Sequence, residues 1–252
     1  MVTNGENLQP VGASDPTPET QGNAADEELL HAASDPALTE DLALALLKRT
    51  DLPATVLEQL ARNVAAIKAR KVKIALAGHL HTPRHISIPL VRQLYTFDLM
   101  QVALSPTVPA DVKVVAEDVV ISRLKSVTLG ERLTLARRAS GRVAAALLLD
   151  PEARVMQTAL QNGRLTESLV IGAVLRPQAG AALVHAVAQH ANWSFRREVR
   201  IALLRTEFLP PTRALEFSRG VSLALLREIL ANSRLPEAVK REVLQGNPIT
   251  AP

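Results

Sequence analysis

The chain contains no cysteine. That excludes disulfides, thiolate nucleophiles and cysteine-ligated clusters, and it suits a reducing cytosol. Aromatic residues are almost as scarce, with one Trp, one Tyr and four Phe in 252 residues. A sheet protein draws on aromatic and β-branched strands with period-two alternation, and no such alternation is sustained here. Single-stranded nucleic-acid binding by base stacking also lacks its usual platforms. No apolar run reaches the roughly 20 residues a membrane span needs, and the N-terminal residues are acidic and polar where a signal peptide is basic and then apolar. Glycine-rich phosphate loops, Gly-x-Ser-x-Gly elbows and paired metal-ligand motifs are missing as well. We therefore expect a non-catalytic, cytoplasmic protein without cofactor or metal.

What is present is a recurring turn. With Pro236 as position zero, Asn232 lies at −4, Leu235 at −1 and Val239 at +3, behind the apolar pair Ile229 and Leu230. The same frame fits Asn162, Leu165, Thr166 and Leu169, then Ser105, Val108, Pro109 and Val112, and again His79, Thr82, Pro83 and Ile86. Arg49, Leu52, Pro53 and Val56 give a fifth copy, and Asp35, Leu38, Thr39 and Leu42 a sixth. Weaker copies occur at His190, Trp193 and Ser194 and at Thr206, Leu209 and Pro210. Proline at a first helical position gives up an N–H that has no intrahelical acceptor, and Thr offers a capping hydroxyl. The polar residue at −4 closes the preceding helix through its local backbone groups. The −1 residue is expected to fill the space between neighbouring helices.

The turns are irregularly spaced: Thr39 to Pro53 spans one helix, while Pro53 to Pro83 and Pro83 to Pro109 each span a helical hairpin, close to the lower end of the roughly 30–45 residues of two-helix repeats. Asp150-Pro151-Glu152-Ala153-Arg154-Val155 resembles the opening of a HEAT repeat. With the Asn-x-x-Leu-Pro-x-x-Val turns, the segment from Asp26 to Gln245 is similar to a HEAT-like or leucine-rich-repeat-variant α-solenoid, a bacterial group in the armadillo-type superfamily. The resemblance implies an all-α fold of stacked helical hairpins and a role as an interaction scaffold. The iron–sulfur cluster of one such relative does not carry over to a chain without cysteine. The expected organisation is a disordered tail over residues 1–25, one repeat domain over 26–245, and a flexible tail over 246–252.

Individual helices carry the expected period. Ile86, Leu90, Val91 and Leu94 share a face, as do Val112, Val115, Ala116, Val119 and Val120. Thr128 and Glu131 have the spacing of a capping box. Val143 to Leu149 is apolar throughout, so that helix is expected to be covered on more than one side.

Charge is segregated. The first forty residues hold eight carboxylates and no Lys or Arg, while the whole chain is +4, which leaves +12 on residues 41–252. His79, His81 and His85 fall within seven residues, but a helix exit, a turn and a new helix set them apart, so polar turn filling is expected ahead of a metal site. His185 and His190 are read as structural. Adjacent carboxylates such as Glu117 and Asp118 splay apart on a helix and are expected to be solvated.

The basic residues carry the functional expectation. Arg137, Arg138 and Arg142 occupy one helical stretch, and Arg196, Arg197 and Arg200 repeat the arrangement, each with an i, i+4 pair. Arg grips carboxylates and phosphates through two parallel hydrogen bonds. Aligned along the repeats, the six would form a stripe for an acidic protein or peptide partner. The alternative is a nucleic-acid-binding solenoid, favoured by a pI near 9.8; a bland reading makes them ordinary solvated helix positions.

Overall fold

A computed structural model of the chain describes residues 18–246. Residues 1–17 and 247–252, which include most of the expected N-terminal tail and nearly all of the C-terminal one, lie outside the described residues. Seventeen α-helices and no strand occur among the described residues, so the chain is all-α. None of these helices is long and apolar enough to cross a membrane.

Among the described residues two compact units emerge, divided between Leu90 and Val91, where the sequence suggests one domain. The first contains α1 (Pro18–Ser34), α2 (Glu40–Leu47), α3 (Ala54–Arg62), α4 (Val64–Lys68) and α5 (Arg70–Gly78). Within it α1 packs on α3, α2 on α5, and α4 on both α3 and α5. The division falls inside α6 (Arg84–Gln93), just after Pro89, whose ring withholds the N–H that the His85 carbonyl would otherwise accept.

The second unit opens with the pair α7 (Thr96–Leu104) and α8 (Ala110–Arg123), followed by α9 (Leu129–Arg138), α10 (Gly141–Leu147) and α11 (Ala153–Leu160). It continues through α12 (Glu167–Val174), α13 (Ala181–Gln189) and α14 (Arg197–Leu204) to α15 (Pro211–Ser218), α16 (Leu223–Ala231) and α17 (Glu237–Gln245). Most of these helices touch the helix two positions on: α9 packs on α11, α10 on α12, α11 on α13, α12 on α14, α14 on α16 and α15 on α17. The apolar run around α10 is covered from four sides, by α8, α9, α11 and α12, which buries Val143, Ala144, Ala145 and Leu147 as expected.

The prolines do start helices, but as N-caps, one position before the first helical residue expected of them. Pro53, Pro109, Pro210 and Pro236 are N-caps with extended ψ near 140–150°, and their carbonyls accept the first helical N–H groups. The ring fixes φ at the value either position requires, and the N-cap N–H, like that of the first helical residue, is not needed by the helix. Thr39 caps α2 through its hydroxyl, and Thr128 and Glu131 form the expected capping box on α9.

The −1 residues of the frame are buried throughout: Leu38, Leu52, Thr82, Val108, Leu165, Leu209 and Leu235. At +3, Val56, Val112 and Val239 are buried, but Leu42 is 58% exposed. In α2 the buried residues are Ala43 and Leu47, which turns Leu42 off the inward face.

The polar turn residues do more than close their own helix. Asn63 accepts the Ala65 and Ala66 N–H groups through Oδ1 while its Nδ2 donates to the Ala33 and Asp35 carbonyls, 30 and 28 residues upstream. Asn162 accepts the Arg164 N–H at 2.8 Å and donates to the Ala136 and Ala139 carbonyls at 2.8 and 3.2 Å. Ser233 accepts the Leu235 N–H and donates to the Leu204 carbonyl, taking the place expected of Asn232, which is exposed and bonds only within its own helix. His79 completes the set: its Nδ1 accepts the His81 N–H, so the proton sits on Nε2, which donates to the Arg49 carbonyl at 2.8 Å. His81 bonds the Leu52 carbonyl in turn, and His85 sits 3.8 Å from Glu58. His79 and His81 therefore fill the turn, while His85 lies exposed in the first turn of α6.

Candidate functional site

Three consecutive turns of the second unit form the site. The first ends α9 with Arg137 and Arg138 and leads through Ala139 and Ser140 into α10. The second joins α11 to α12 and is tied to the first by Asn162 and by the Arg164 guanidinium, which donates to the Arg138 carbonyl at 3.3 Å. The contact is so close that a Cβ at Gly141 would collide with the Arg164 carbonyl oxygen, so only glycine fits there.

The third turn, from α13 to α14, is longer than the frame predicts: α14 begins at Arg197 with Arg196 as N-cap, two residues beyond the expected Ser194. His190 holds the position that Asn162 holds one hairpin earlier, its Nδ1 accepting the Asn192 N–H at 3.2 Å. Burial pushes the His190 imidazole below its ordinary value of 6.5. The Trp193 indole is buried and donates to the Leu160 carbonyl at 3.1 Å, which fastens the third turn to the second.

Between the second and third turns lies an open cleft of about 650 Å³, with Gln161, Gly163, His190, Asn192, Phe195 and Arg196 among its walls. Phe195 is 75% exposed. A second, smaller groove of about 300 Å³ borders Arg137 and Arg138 beside Leu133 and Thr134. The surface thus combines an uncovered ring with guanidinium groups, a pairing that suits a ligand carrying both apolar and anionic groups.

The six expected arginines separate into two groups. Arg138 and Arg142 do not share a helix: Ala139 and Ser140 end α9 and start α10 between them. Arg142 instead bridges Glu117 at 3.0 Å and Asp118 at 2.8 Å, so that pair of carboxylates is not simply solvated and Glu117 is buried. Arg200 is structural too. Its Nε donates to the Ser194 carbonyl at 2.6 Å, and its guanidinium lies 5.1 Å from the Phe217 ring centre and 5.8 Å from that of Phe195.

Arg137, Arg138 and Arg197 remain exposed on the turn edge. Arg196 is half-exposed, 5.8 Å above the Trp193 ring and 3.2 Å from Glu167. Arg164 joins this edge and was not anticipated. Its signal was its place inside the turn frame, two residues before Thr166, the N-cap position of α12. His185, expected to be structural, bonds the Phe208 carbonyl at 3.0 Å. Comparison with known proteins finds no matching family model, and no matching curated protein or solved structure.

Proposed function

We propose that the protein is a non-catalytic interaction scaffold built on a HEAT-like array of helical hairpins, and that the turn edge of the second unit holds an acidic protein or peptide partner. The array reading is supported by the two-position helix contacts and by turn-to-turn hydrogen bonds that reach 23 to 33 residues back, about one hairpin. The carrying observation for function is the open cleft: Phe195, on the third turn, walls it together with Arg196, and Arg137, Arg138, Arg164 and Arg197 are exposed on the same three turns. Acidic partners are favoured over neutral ones by the +12 carried on residues 41–252.

Affinity capture from a native extract tests this. The bait should retain a protein partner after nuclease treatment and lose it on Phe195→Ala or Arg197→Glu. Material that disappears with nuclease would favour the second reading, a nucleic-acid-binding array, for which the pI near 9.8 and the row of arginines speak. A partner equally retained by both variants would place the binding surface elsewhere.

A further inference from the structure

At Asn63, His79, Asn162 and Ser233 the donor of the turn residue goes to a carbonyl of the preceding hairpin. His190 breaks this habit. Its Nδ1 accepts the Asn192 N–H, so in the neutral ring the proton sits on Nε2, yet nothing among the described residues accepts from Nε2. The link to the preceding turn is made instead by Trp193, whose indole N–H donates to the Leu160 carbonyl. Burial disfavours the imidazolium, so the half-buried ring stays a neutral donor at pH 7. That ring borders the open cleft of about 650 Å³, a ligand-sized space. The N–H that other turns use up is therefore available at its wall.

The other walls narrow what could accept it. Arg196 is the one charged side chain among the described residues bordering the cleft. Its guanidinium lies 5.8 Å from the centre of the Trp193 ring, which the His190 ring flanks at 6.2 Å. Guanidinium and Nε2–H both donate and neither accepts, so a ligand that engages both must present acceptor oxygens, as a carboxylate or a phosphate does. Glu167 at 3.2 Å already offsets part of the Arg196 charge. A carboxylate adds one negative charge to this nearly neutral site, whereas a phosphomonoester adds about two. The carboxylate is the better match. Phe195, 75% exposed on the same turn, supplies an apolar surface beside the polar pair.

Resting on the acidic-partner reading above, we infer that the cleft between the second and third turns is the anchor pocket for one Asp or Glu side chain of the partner. Its carboxylate is received by the His190 Nε2–H and the Arg196 guanidinium, and an apolar neighbour in the partner sequence seats on Phe195. The exposed Arg137, Arg138 and Arg197 add attraction at longer range.

Trp193 is the only tryptophan of the chain, so its fluorescence reports on this cleft directly. The probe is a short peptide without Trp or Tyr, blocked at both ends, with Leu-Glu-Leu at its centre; a second peptide carries Gln in place of the Glu, and a third phosphoserine. We expect the Glu peptide to change the emission saturably and to bind several-fold more tightly than the Gln peptide. His190→Asn keeps an acceptor for the Asn192 N–H, as Asn162 does for Arg164, so the turn survives. It should weaken the Glu peptide about three-fold or more and leave the Gln peptide less affected. Phe195→Ala should weaken both peptides alike, and Arg227→Gln, an exposed change on α16, should alter neither. No response to the Glu peptide, equal affinity for the Glu and Gln peptides, an unchanged preference in His190→Asn, or tighter binding of the phosphoserine peptide would each overturn the carboxylate anchor. An acidic partner captured from extract would then still uphold the wider reading. Binding of duplex DNA with no response to any peptide would overturn both.

Discussion

Replacing Asn162 by Ala removes three hydrogen bonds at one stroke. The side chain is 4% exposed, its amide donates to the Ala136 and Ala139 carbonyls, and its oxygen accepts the Arg164 N–H. Each intramolecular bond contributes about 1 kcal/mol net, and a buried group left without a partner costs more, so we expect a loss of about 3 kcal/mol. In urea this appears as a lower transition midpoint; with a slope of about 2 kcal/mol per molar, the shift is about 1.5 M. Asn232 occupies the matching position of another turn, yet it is exposed and makes one bond, to the Glu228 carbonyl. Asn232→Ala should therefore cost under about 0.5 kcal/mol, the usual size of a surface change. Similar midpoints for the two variants would refute the claim that Asn162 joins adjacent turns.

Gly141→Ala should destabilise by about 1–3 kcal/mol, measured by the same titration, because the added methyl meets the Arg164 backbone and the turns must part. Leu165→Ala and Leu235→Ala, at 6% and 3% exposure, should each cost about 2–4 kcal/mol; unchanged midpoints would show that the −1 residue fills no space. His190 is held neutral by burial, so below pH 6.5 the unfolded chain binds a proton that the folded one refuses. Stability should fall as pH drops from about 6.5 to the depressed folded value and then level off. Trp193 fluorescence through thermal unfolding at stepped pH reads this out, and His190→Asn should flatten that dependence.

The helices and their junctions were legible in the sequence because they are written locally. Pro, Thr and a buried −1 residue lie within five positions of each other and act on the same stretch of backbone. The N-cap placement of Pro53 and Pro236 was not legible, since the ring dictates φ alone and the two candidate positions differ in ψ. The break between Arg138 and Arg142 had a signal in Ser140-Gly141, a capping residue followed by a glycine, which the regular i, i+4 spacing of the arginines overrode. Charge pairing was beyond local reading altogether. Arg142 meets Glu117 and Asp118 from 25 and 24 residues away, and Arg196 meets Glu167 from 29. Those distances are set by how hairpins stack, and no pattern inside one helix encodes them.

The turn position itself obeys a chemical rule. In four of the turns one side chain accepts an N–H two residues ahead and also donates to a carbonyl of the preceding hairpin. Asn does both through its amide, Ser through its hydroxyl, and neutral His through its two ring nitrogens. Asn63, Asn162, Ser233 and His79 are thus equivalent residues despite having little in common in size. An ionised carboxylate has no proton to give and can do only the first of these, as Asp35 does in accepting the Ala37 N–H. Aspartate at Asn162 should therefore preserve the local turn and lose the bonds between turns, leaving a carboxylate opposite two carbonyl oxygens. Because protonation restores one donor, Asn162→Asp should recover stability relative to Asn162→Ala as the pH is lowered through the carboxylate range, and a constant difference between the two would contradict the rule.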